Sequence, residues 1–293
     1  MSGFGVIVVD KPVGPTSHFV VDAVRRGTGV SKVGHAGTLD PRASGVLVLC
    51  LGPATRLSEY LSSSTKGYEA QVQFGKSTET YDGEGAAIKD TGKSPALEEI
   101  LSALPGFRGD IQQVPPPYSA VKVSGKKAYQ LAREGKPVEL EPRTVTIFKL
   151  EPLEYQPPHL TLWVECSAGT YIRSLAHDLG ELLSCGAHLS QLRRVKAGPY
   201  TLNEAVGLPK LQRAMADGSW PAYLRPAADA LPDLPIVQLA PEELELVRNG
   251  LGVPTQTVPH GLARALAPNG ELAAILEAID GSQEWHPRKV FLA

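Results

Sequence analysis

Cysteine is scarce in this sequence of 293 residues, and its three cysteines are far apart. Cys50, Cys166 and Cys185 include no Cys-x-x-Cys pair, so neither a disulfide framework nor a zinc site is encoded. Long hydrophobic runs are also absent, because no apolar stretch approaches the roughly 20 residues of a membrane-spanning helix. The short apolar run at residues 5–9 lacks the basic flank and cleavage site of a signal peptide. We therefore expect a cytoplasmic protein without a membrane partner, whose chemistry uses no metal.

Neither sign of charge dominates the whole sequence, which has a formal net charge of −2. This near balance argues against a protein that coats nucleic acid indiscriminately. Locally the charge is uneven: residues 229–293 carry nine acids and four bases, a net charge of −5. Residues 115–136 carry one acid, Glu134, and a net charge of +4 from the bases Lys122, Lys126, Lys127, Arg133 and Lys136. Taken alone, a basic segment of this size is typical of a solvated surface.

The length of the chain predicts one large domain and a smaller one. Hydrophobic periodicity predicts strands that are separated by helices and long loops. Strands are predicted at residues 6–9, 46–51, 68–74, 144–150 and 160–166. Helices are predicted at residues 17–26 with Ser17 as N-cap, at 97–104, at 126–134, and from a Thr170 cap to Gly186. This order favours an α+β domain with a large sheet over regular βαβ repeats.

The last quarter of the chain has a different pattern. Four prolines predict an extended linker over residues 221–235. A short, mostly β segment follows, in which Asn269 and Gly270 form a hairpin turn. The sequence therefore predicts a small separate domain after the linker.

A single carboxylate, Asp40, lies between a histidine and an arginine in the glycine-bordered sequence GHAGTLDPRASG, residues 34–45. An aspartate before proline is typical of a turn, but in an exposed loop it can also be a nucleophile or base. A working carboxylate needs a charge partner or a second acid. Arg173 is a candidate partner, because the first turn of its predicted helix disfavours an uncompensated cation. The alternative is a surface arginine that pairs with some other acid.

Other side chains allow two interpretations each. Tyr68 begins the inward-facing row of its strand, so it fits either a core residue or the wall of a cleft that stacks on an extruded base. His35 fits a turn or core histidine better than a catalyst. A basic cluster either binds phosphate or is merely solvated; it consists of Arg193, Arg194 and Lys196.

Six motifs in order along the chain resemble those of the bacterial TruB-type tRNA pseudouridine synthases: DKPVGPTS, GHAGTLDPRASG, KGYEAQVQFG, PPPYSAVKVSGKKAYQLAREG, GTYIRSLAHDLG and GAHLSQLRRV. The resemblance covers nearly the whole chain. It implies the pseudouridine-synthase fold, which is α+β with a large mixed, mainly antiparallel sheet flanked by helices. It further implies a catalytic domain at 1–228 with an RNA-gripping, thumb-like insertion at 115–143, and a small β-rich PUA-like domain at 235–293.

The resemblance also implies an activity, the conversion of uridine 55 in the T loop of tRNA to pseudouridine by base flipping, without metal or organic cofactor. The implied partner is the T-arm of tRNA, with no obligate protein partner. Asp40 would be the catalytic carboxylate, Arg173 its ion-pair partner, and Tyr68 the residue that stacks on the target base and assists loss of the C5 proton. The implied substrate-binding residues are His35, Tyr171, Leu192, Arg56, Lys126 and Lys127, of which Arg56 stands where some members have lysine.

Three other functions remain open from the residues. A noncatalytic tRNA chaperone on the same fold would keep the basic insertion and would not need Asp40. A retaining glycoside hydrolase would need a second acid about 5 Å from Asp40, such as Asp82 or Asp178. A uracil methyltransferase would need a cysteine nucleophile, but no glycine-rich cofactor loop accompanies any cysteine.

Overall fold

The computed structural model describes residues 4–123, 125–135 and 139–292 of the chain. These residues form two compact units, and each unit combines segments that are distant in sequence. The first unit contains residues 4–41, 45–62 and 198–292, and the second contains residues 42–44 and 63–197.

Strands make up most of the regular structure. They are β1 Gly5–Lys11, β2 Val33–His35, β3 Ala43–Leu51, β4 Lys66–Phe74, β5 Lys76–Thr78, β6 Ala87–Asp90, β7 Gly109–Gln113, β8 Lys122–Val123, β9 Lys126–Lys127, β10 Arg143–Gln156, β11 His159–Cys166, β12 Ala187–Ala197, β13 Tyr200–Thr201, β14 Val206–Gly207, β15 Ile236–Gln238, β16 Val253–Pro254, β17 Leu262–Leu266, β18 Leu272–Ala278 and β19 Glu284–Val290. The α-helices are α1 Ser17–Thr28, α2 Ser58–Ser63, α3 Leu97–Ala103, α4 Ala128–Arg133, α5 Ile172–Leu182, α6 Leu208–Ala216 and α7 Pro241–Arg248. None of these helices is both long and apolar enough to cross a membrane.

The N-terminal strands of the first unit are built from the two apolar runs. Strand β1 lies between β3, to which it is antiparallel, and the short β14, to which it is parallel. Strand β2 pairs with residues 49–51 of β3 along the opposite edge of β3. Nearly every residue of β1 and β3 is buried, which is expected for strands covered on both faces. The predictions of buried strands at 6–9 and 46–51 are therefore confirmed.

An antiparallel sheet in the order β12, β4, β11, β10, β7 forms the second unit. Strand β4 alternates as predicted, with one row of side chains buried: Tyr68, Ala70, Val72 and Phe74. These side chains share a hydrophobic core with the apolar face of α5. Helix α5 approaches β12 closely at Gly180, where an added Cβ would lie 2.1 Å from the backbone nitrogen of Ala187.

The C-terminal residues form a separate five-stranded sheet in the order β15, β17, β18, β19, β16. Its core includes Val247 of α7 together with Ala263, Ala265 and Leu276 of the sheet. The predicted hairpin joins β17 and β18 through Gly270, which has a φ of 81°. A β-rich C-terminal domain and an α+β class with a mixed sheet are therefore confirmed.

The segment 221–235 is not the extended linker that its prolines predict. It contains 3-10 turns at Trp220–Tyr223 and Ala227–Ala230, and the three alanines of the second turn are buried. The backbone of Arg225 also forms two hydrogen bonds with Val6 of β1, 2.8 and 2.9 Å long. Small apolar residues between the prolines allow this segment to pack against the rest of the unit. The prediction of a linker used the number of prolines and took no account of that packing.

Three helix starts also differ from the prediction. Thr16 caps α1 by accepting a 3.0 Å bond from Phe19 N–H, since the Ser17 hydroxyl is engaged elsewhere. Tyr171 holds the N-cap position of α5, because Thr170 donates to the Ser167 carbonyl instead. The helix predicted at 126–134 begins at Ala128, and the two lysines before it pair with β8 in a short hairpin.

Candidate active site

The backbone on both sides of Asp40 is held by Ser17, the first residue of α1, and by Gly14 in the turn before α1. The buried Ser17 hydroxyl donates to the Leu39 carbonyl at 3.0 Å and accepts from the Leu39 N–H at 2.8 Å. Gly14 N–H donates to the Pro41 carbonyl at 2.8 Å. Asp40 itself is half-buried. The motif DKPVGPTS therefore provides a rigid support for the loop that presents Asp40.

Lys11 in turn organises that support. Its side chain is fully buried, and its ammonium donates to the carbonyls of Pro12 and Pro15 at 2.9 and 3.0 Å. A buried ammonium is stable only where such acceptors replace its water. Ser17 was predicted only as the N-cap of α1 and Lys11 only as part of a turn, so the sequence did not indicate their supporting roles.

His35 lies on the same segment of the first unit as Asp40. It is half-buried at the end of β2, in register with Leu49 of β3. The next residue, Ala36, continues the contact with β3 by donating to the Val48 carbonyl at 2.9 Å. The segment from His35 to Asp40 thus leaves the sheet from a fixed point.

In the second unit, the guanidinium of Arg173 lies near the start of α5 among oxygen acceptors. Its Nη1 lies 3.5 Å from Asp82 Oδ2 and donates to the carbonyls of Thr80 and Tyr118, each at 3.2 Å. Arg173 and Asp82 are both largely buried, with side-chain exposures of 10% and 16%. A cation in the first turn of a helix is expected to need a neighbouring anion, and Asp82 of the same unit is such an anion for Arg173.

Asp82 is itself held by the turn that carries it. Its Oδ1 accepts from the Thr80 hydroxyl at 2.5 Å and from the Glu84 N–H at 3.0 Å. These hydrogen bonds fix the orientation of the Asp82 carboxylate within its turn. From the sequence, Asp82 was a candidate only for the second acid of a glycoside hydrolase. Its contact with Arg173 was not predicted.

Tyr171, which immediately precedes α5, is held through its backbone. The Gln113 amide donates to the Tyr171 carbonyl at 3.0 Å and accepts from the Tyr171 N–H at 2.8 Å. Gln113 is the last residue of β7 and is 1% exposed. No spacing pattern links two residues so far apart, so the sequence contained no signal for this contact.

Tyr68 and Leu192 belong to one hydrophobic cluster of the second unit. Tyr68 is buried in β4, opposite Arg194 of β12, and Leu192 lies opposite Ala70 two positions along. Leu192 is half-buried against the same cluster. The structure therefore brings together two of the residues that the resemblance assigns to the substrate.

The basic cluster near the end of β12 does not behave as one surface. Arg194 is 2% exposed and so is not a solvated side chain. Lys196 forms a 2.8 Å ion pair with Glu165. Lys66 is buried nearby, and burial, with a smaller contribution from the Arg194 charge, lowers the pKa of Lys66 to about 8.

The basic segment at 115–136 forms a short hairpin followed by α4. Lys126 and Lys127 are exposed in β9, where both are accessible to a partner. The Tyr129 ring has two cationic neighbours, the Lys127 ammonium and the Arg133 guanidinium, each 5.6 Å from the ring centroid. Lys136, also counted in this segment, lies outside the described residues.

Arg56 has a contact that its sequence motif does not indicate. Its guanidinium donates to the carbonyl of Val290 in β19, and Lys289 beside Val290 forms a 2.9 Å ion pair with Glu59. The role of Arg56 in substrate binding stays a prediction.

Comparison with known proteins gives a family for the chain. Residues 25–172 match the model of the TruB family pseudouridylate synthase N-terminal domain, and residues 173–231 match the tRNA pseudouridylate synthase B C-terminal domain. The tRNA pseudouridine synthase B of Pseudomonas fluorescens strain Pf0-1 is 43% identical over 277 residues, which are 93% of this chain and 91% of the relative. The chain belongs to the TruB family of pseudouridylate synthases. It is therefore an isomerase that converts uridine to pseudouridine, and the predicted family, this isomerase activity and the fold class are confirmed.

Other TruB relatives and solved structures agree with this assignment. The tRNA pseudouridine synthase B of Pseudomonas aeruginosa strain UCBPP-PA14 is 42% identical over 280 residues, covering 94% of this chain and 92% of the relative. A chain in the crystal structure of a Cbf5–Nop10–Gar1 complex is 30% identical with a TM-score of 0.78, covering 99% of this chain and 85% of that one. A chain of an H/ACA RNP bound to a substrate RNA containing 2′-deoxyuridine is 28% identical with a TM-score of 0.76, covering 99% and 86%.

Within this TruB-family chain, the predicted site residues divide between the two units. His35, Asp40 and Arg56 belong to the first unit. The second unit holds Tyr68, Lys126, Lys127, Tyr171, Arg173 and Leu192. An ion pair between Asp40 and Arg173 would join the two units and stays a prediction.

Proposed function

We propose that the substrate uridine lies in the T loop of tRNA, at position 55, and that Asp40 is the catalytic carboxylate. The relatives that match over nine-tenths of the chain are named tRNA pseudouridine synthase B, which supports tRNA as the substrate. The observation that carries the proposal is the Asp40 loop, because Ser17 and Gly14 hold the backbone on both sides of this one carboxylate. Such preorganisation is what a reacting group requires.

The reaction exchanges one glycosidic bond for another. The bond between N1 of uracil and C1′ of the ribose breaks, the base rotates, and C5 becomes bonded to C1′. A proton leaves C5 and N1 gains one, so substrate and product contain the same atoms and no electron or group donor is consumed. In this proposal the Asp40 carboxylate acts on the reacting nucleotide, and Arg173 is its ion-pair partner.

Base flipping places the uracil against the side chains of the second unit. Extrusion costs on the order of a few kcal/mol, which aromatic contacts and a preshaped T loop offset. Tyr68 stacks on the base and assists loss of the C5 proton, and Tyr171 and Leu192 complete the pocket in this proposal. His35 fills the space that the flipped base leaves.

The basic segment supplies affinity in this proposal. Exposed lysines that neutralise phosphates release counterions, so their contribution to affinity falls as salt rises. No observation favours a noncatalytic chaperone. Asp82, the candidate second acid of a glycoside hydrolase, is engaged by Arg173.

The test is pseudouridine mapping on an unmodified tRNA transcript with the wild-type protein and with Asp40→Asn. The wild type is expected to modify the T-loop uridine alone, and Asp40→Asn to bind the transcript with unchanged affinity and leave it unmodified. A transcript with cytidine at position 55 is the substrate control. Modification elsewhere in the tRNA would contradict the T-loop assignment, and normal turnover by Asp40→Asn would contradict the role of the carboxylate.

A further inference from the structure

The turn at residues 78–84, which holds Asp82 against Arg173, contains an unusual backbone conformation. Tyr81, the residue before Asp82, has a φ of 61°. Bulky residues rarely adopt this left-handed region, and they keep it only where the surrounding structure determines it from several sides. Contacts elsewhere in the structure must therefore stabilise this conformation of Tyr81.

The backbone of Tyr81 is held from two directions. Its N–H donates to the Thr78 carbonyl at 3.2 Å, and its carbonyl accepts from the Leu189 N–H of β12 at 3.0 Å. The Thr78 hydroxyl closes the turn by donating to the Asp82 carbonyl at 2.6 Å. These bonds satisfy the peptide groups, but they do not require an aromatic side chain at position 81.

The aromatic ring of Tyr81 contacts α5. It stacks on the imidazole of His177 with the ring centroids 3.8 Å apart and the planes 5° from parallel. His177 follows Arg173 by four residues, so both side chains lie on the same face of α5, one turn apart. The turn thus meets α5 at two successive points, through Tyr81 on His177 and through Asp82 on Arg173.

His177 contributes to this contact through the face of its imidazole ring. Burial lowers the pKa of His177, so the imidazole is neutral near pH 7. Its Nδ1 is buried, and no hydrogen-bond partner for it is found in the part of the chain that the structure describes. Burial, followed by the charges of Asp178 and Glu181, raises the pKa of Tyr81, so both stacked rings are uncharged.

We propose that Tyr81 and His177 are positioning residues: their stack fixes the turn on α5 so that Asp82 holds the guanidinium of Arg173 in its working orientation. The left-handed backbone at Tyr81 is required because it directs the ring to α5 while the next residue reaches Arg173. This inference rests on the proposed function, in which Arg173 is the partner of the catalytic carboxylate.

Substitution by glycine tests the stack without straining the turn. Glycine adopts a φ of 61° freely, so Tyr81→Gly removes the ring and relieves the backbone. His177→Ala removes the other ring, whereas Tyr81→Phe and His177→Phe keep two stacked aromatic rings. Glu79→Ala is the matched control, because Glu79 is an exposed residue of the same turn.

The measurement is kcat and KM for pseudouridine formation in a tRNA transcript, at a temperature where circular dichroism shows every variant to be folded. Tyr81→Gly and His177→Ala are each expected to lower kcat by about 10- to 100-fold with little change in KM, because Arg173 is misplaced while RNA binding is untouched. The double variant should be no slower than the slower single variant, because both substitutions break one contact. Tyr81→Phe, His177→Phe and Glu79→Ala should match the wild type.

Three results would overturn the inference: wild-type kcat in Tyr81→Gly, losses that multiply in the double variant, or a change confined to KM. A wild-type protein that forms no pseudouridine would instead contradict the proposed function. The two failures are therefore distinguishable.

Discussion

Two buried polar side chains each hold the backbone beside a candidate site residue. The Ser17 hydroxyl both donates to and accepts from Leu39, and the Gln113 amide does the same for Tyr171. A side chain that satisfies both peptide groups of one residue fixes its orientation more firmly than a single bond does. Asp40 and Arg173 each follow such a held residue in sequence, by one and two positions. The backbone positions of Asp40 and Arg173 are therefore fixed by Ser17 and Gln113, which take no part in the proposed reaction.

At the residue scale, we predict that Asp82→Asn lowers the rate of pseudouridine formation by about 10- to 100-fold, because a largely buried guanidinium loses its carboxylate. The size of the side chain is kept, so tRNA affinity should be unchanged. Single-turnover kinetics on a tRNA transcript measure the effect. The control is Glu84→Gln, which removes an exposed acid of the same turn that pairs with Arg42. Equal rates for the two variants would show that the Asp82 charge is not needed.

At the element scale, the second unit combines a rigid sheet with one exposed basic hairpin. Strand β4 and helix α5 share a core, and Gly180 lets the helix lie directly against β12. Strands β8 and β9 pair with each other in a two-stranded sheet, and both lysines of β9 are exposed. The rigid element suits a site whose geometry must be maintained, and the hairpin suits electrostatic contact with a polyanion.

We predict that replacing Lys126 and Lys127 together by alanine weakens tRNA binding and reduces the slope of log affinity against log salt by about 1 to 2, because up to two phosphate contacts are lost. The measurement is filter binding at several salt concentrations. The control replaces Lys89 and Lys93, two exposed lysines of the same unit outside the basic segment. If both double variants changed the slope equally, the effect would be one of total charge and the hairpin would have no special role.

At the scale of the whole molecule, one buried arginine fastens the segment that precedes the C-terminal domain. Arg264 of β17 donates to the carbonyls of Ala228, Pro232 and Leu234, with the shortest bond at 2.6 Å. Arg264 is 8% exposed, and its hydrogen bond to Ala228 is fully buried, whereas its bonds to Pro232 and Leu234 are partly buried. The predicted extended linker is therefore a fixed part of the first unit.

We predict that Arg264→Met lowers the free energy of unfolding by about 2 to 4 kcal/mol, because one buried and two partly buried carbonyls lose their donor while the side-chain volume is nearly kept. Limited proteolysis should then cut within residues 226–235. Arg248→Met, at an exposed i,i+3 ion pair with Glu245, should cost less than about 1 kcal/mol. A loss of stability no greater than that of the control, with no new cleavage, would contradict the fastening role.

The sequence by itself determined the family, through six ordered motifs, and the elements whose signal is local. The alternation at residues 68–74, the apolar runs of β1 and β3 and the Asn269-Gly270 hairpin depend on side-chain period and turn sterics over a few residues. Only the tertiary structure decided which side chains meet: Ser17 with Leu39, Gln113 with Tyr171, Asp82 with Arg173 and Arg264 with the supposed linker. These partners lie 22 to 91 residues apart. Such contacts depend on where the folded chain brings each element, and no local periodicity or propensity encodes that position.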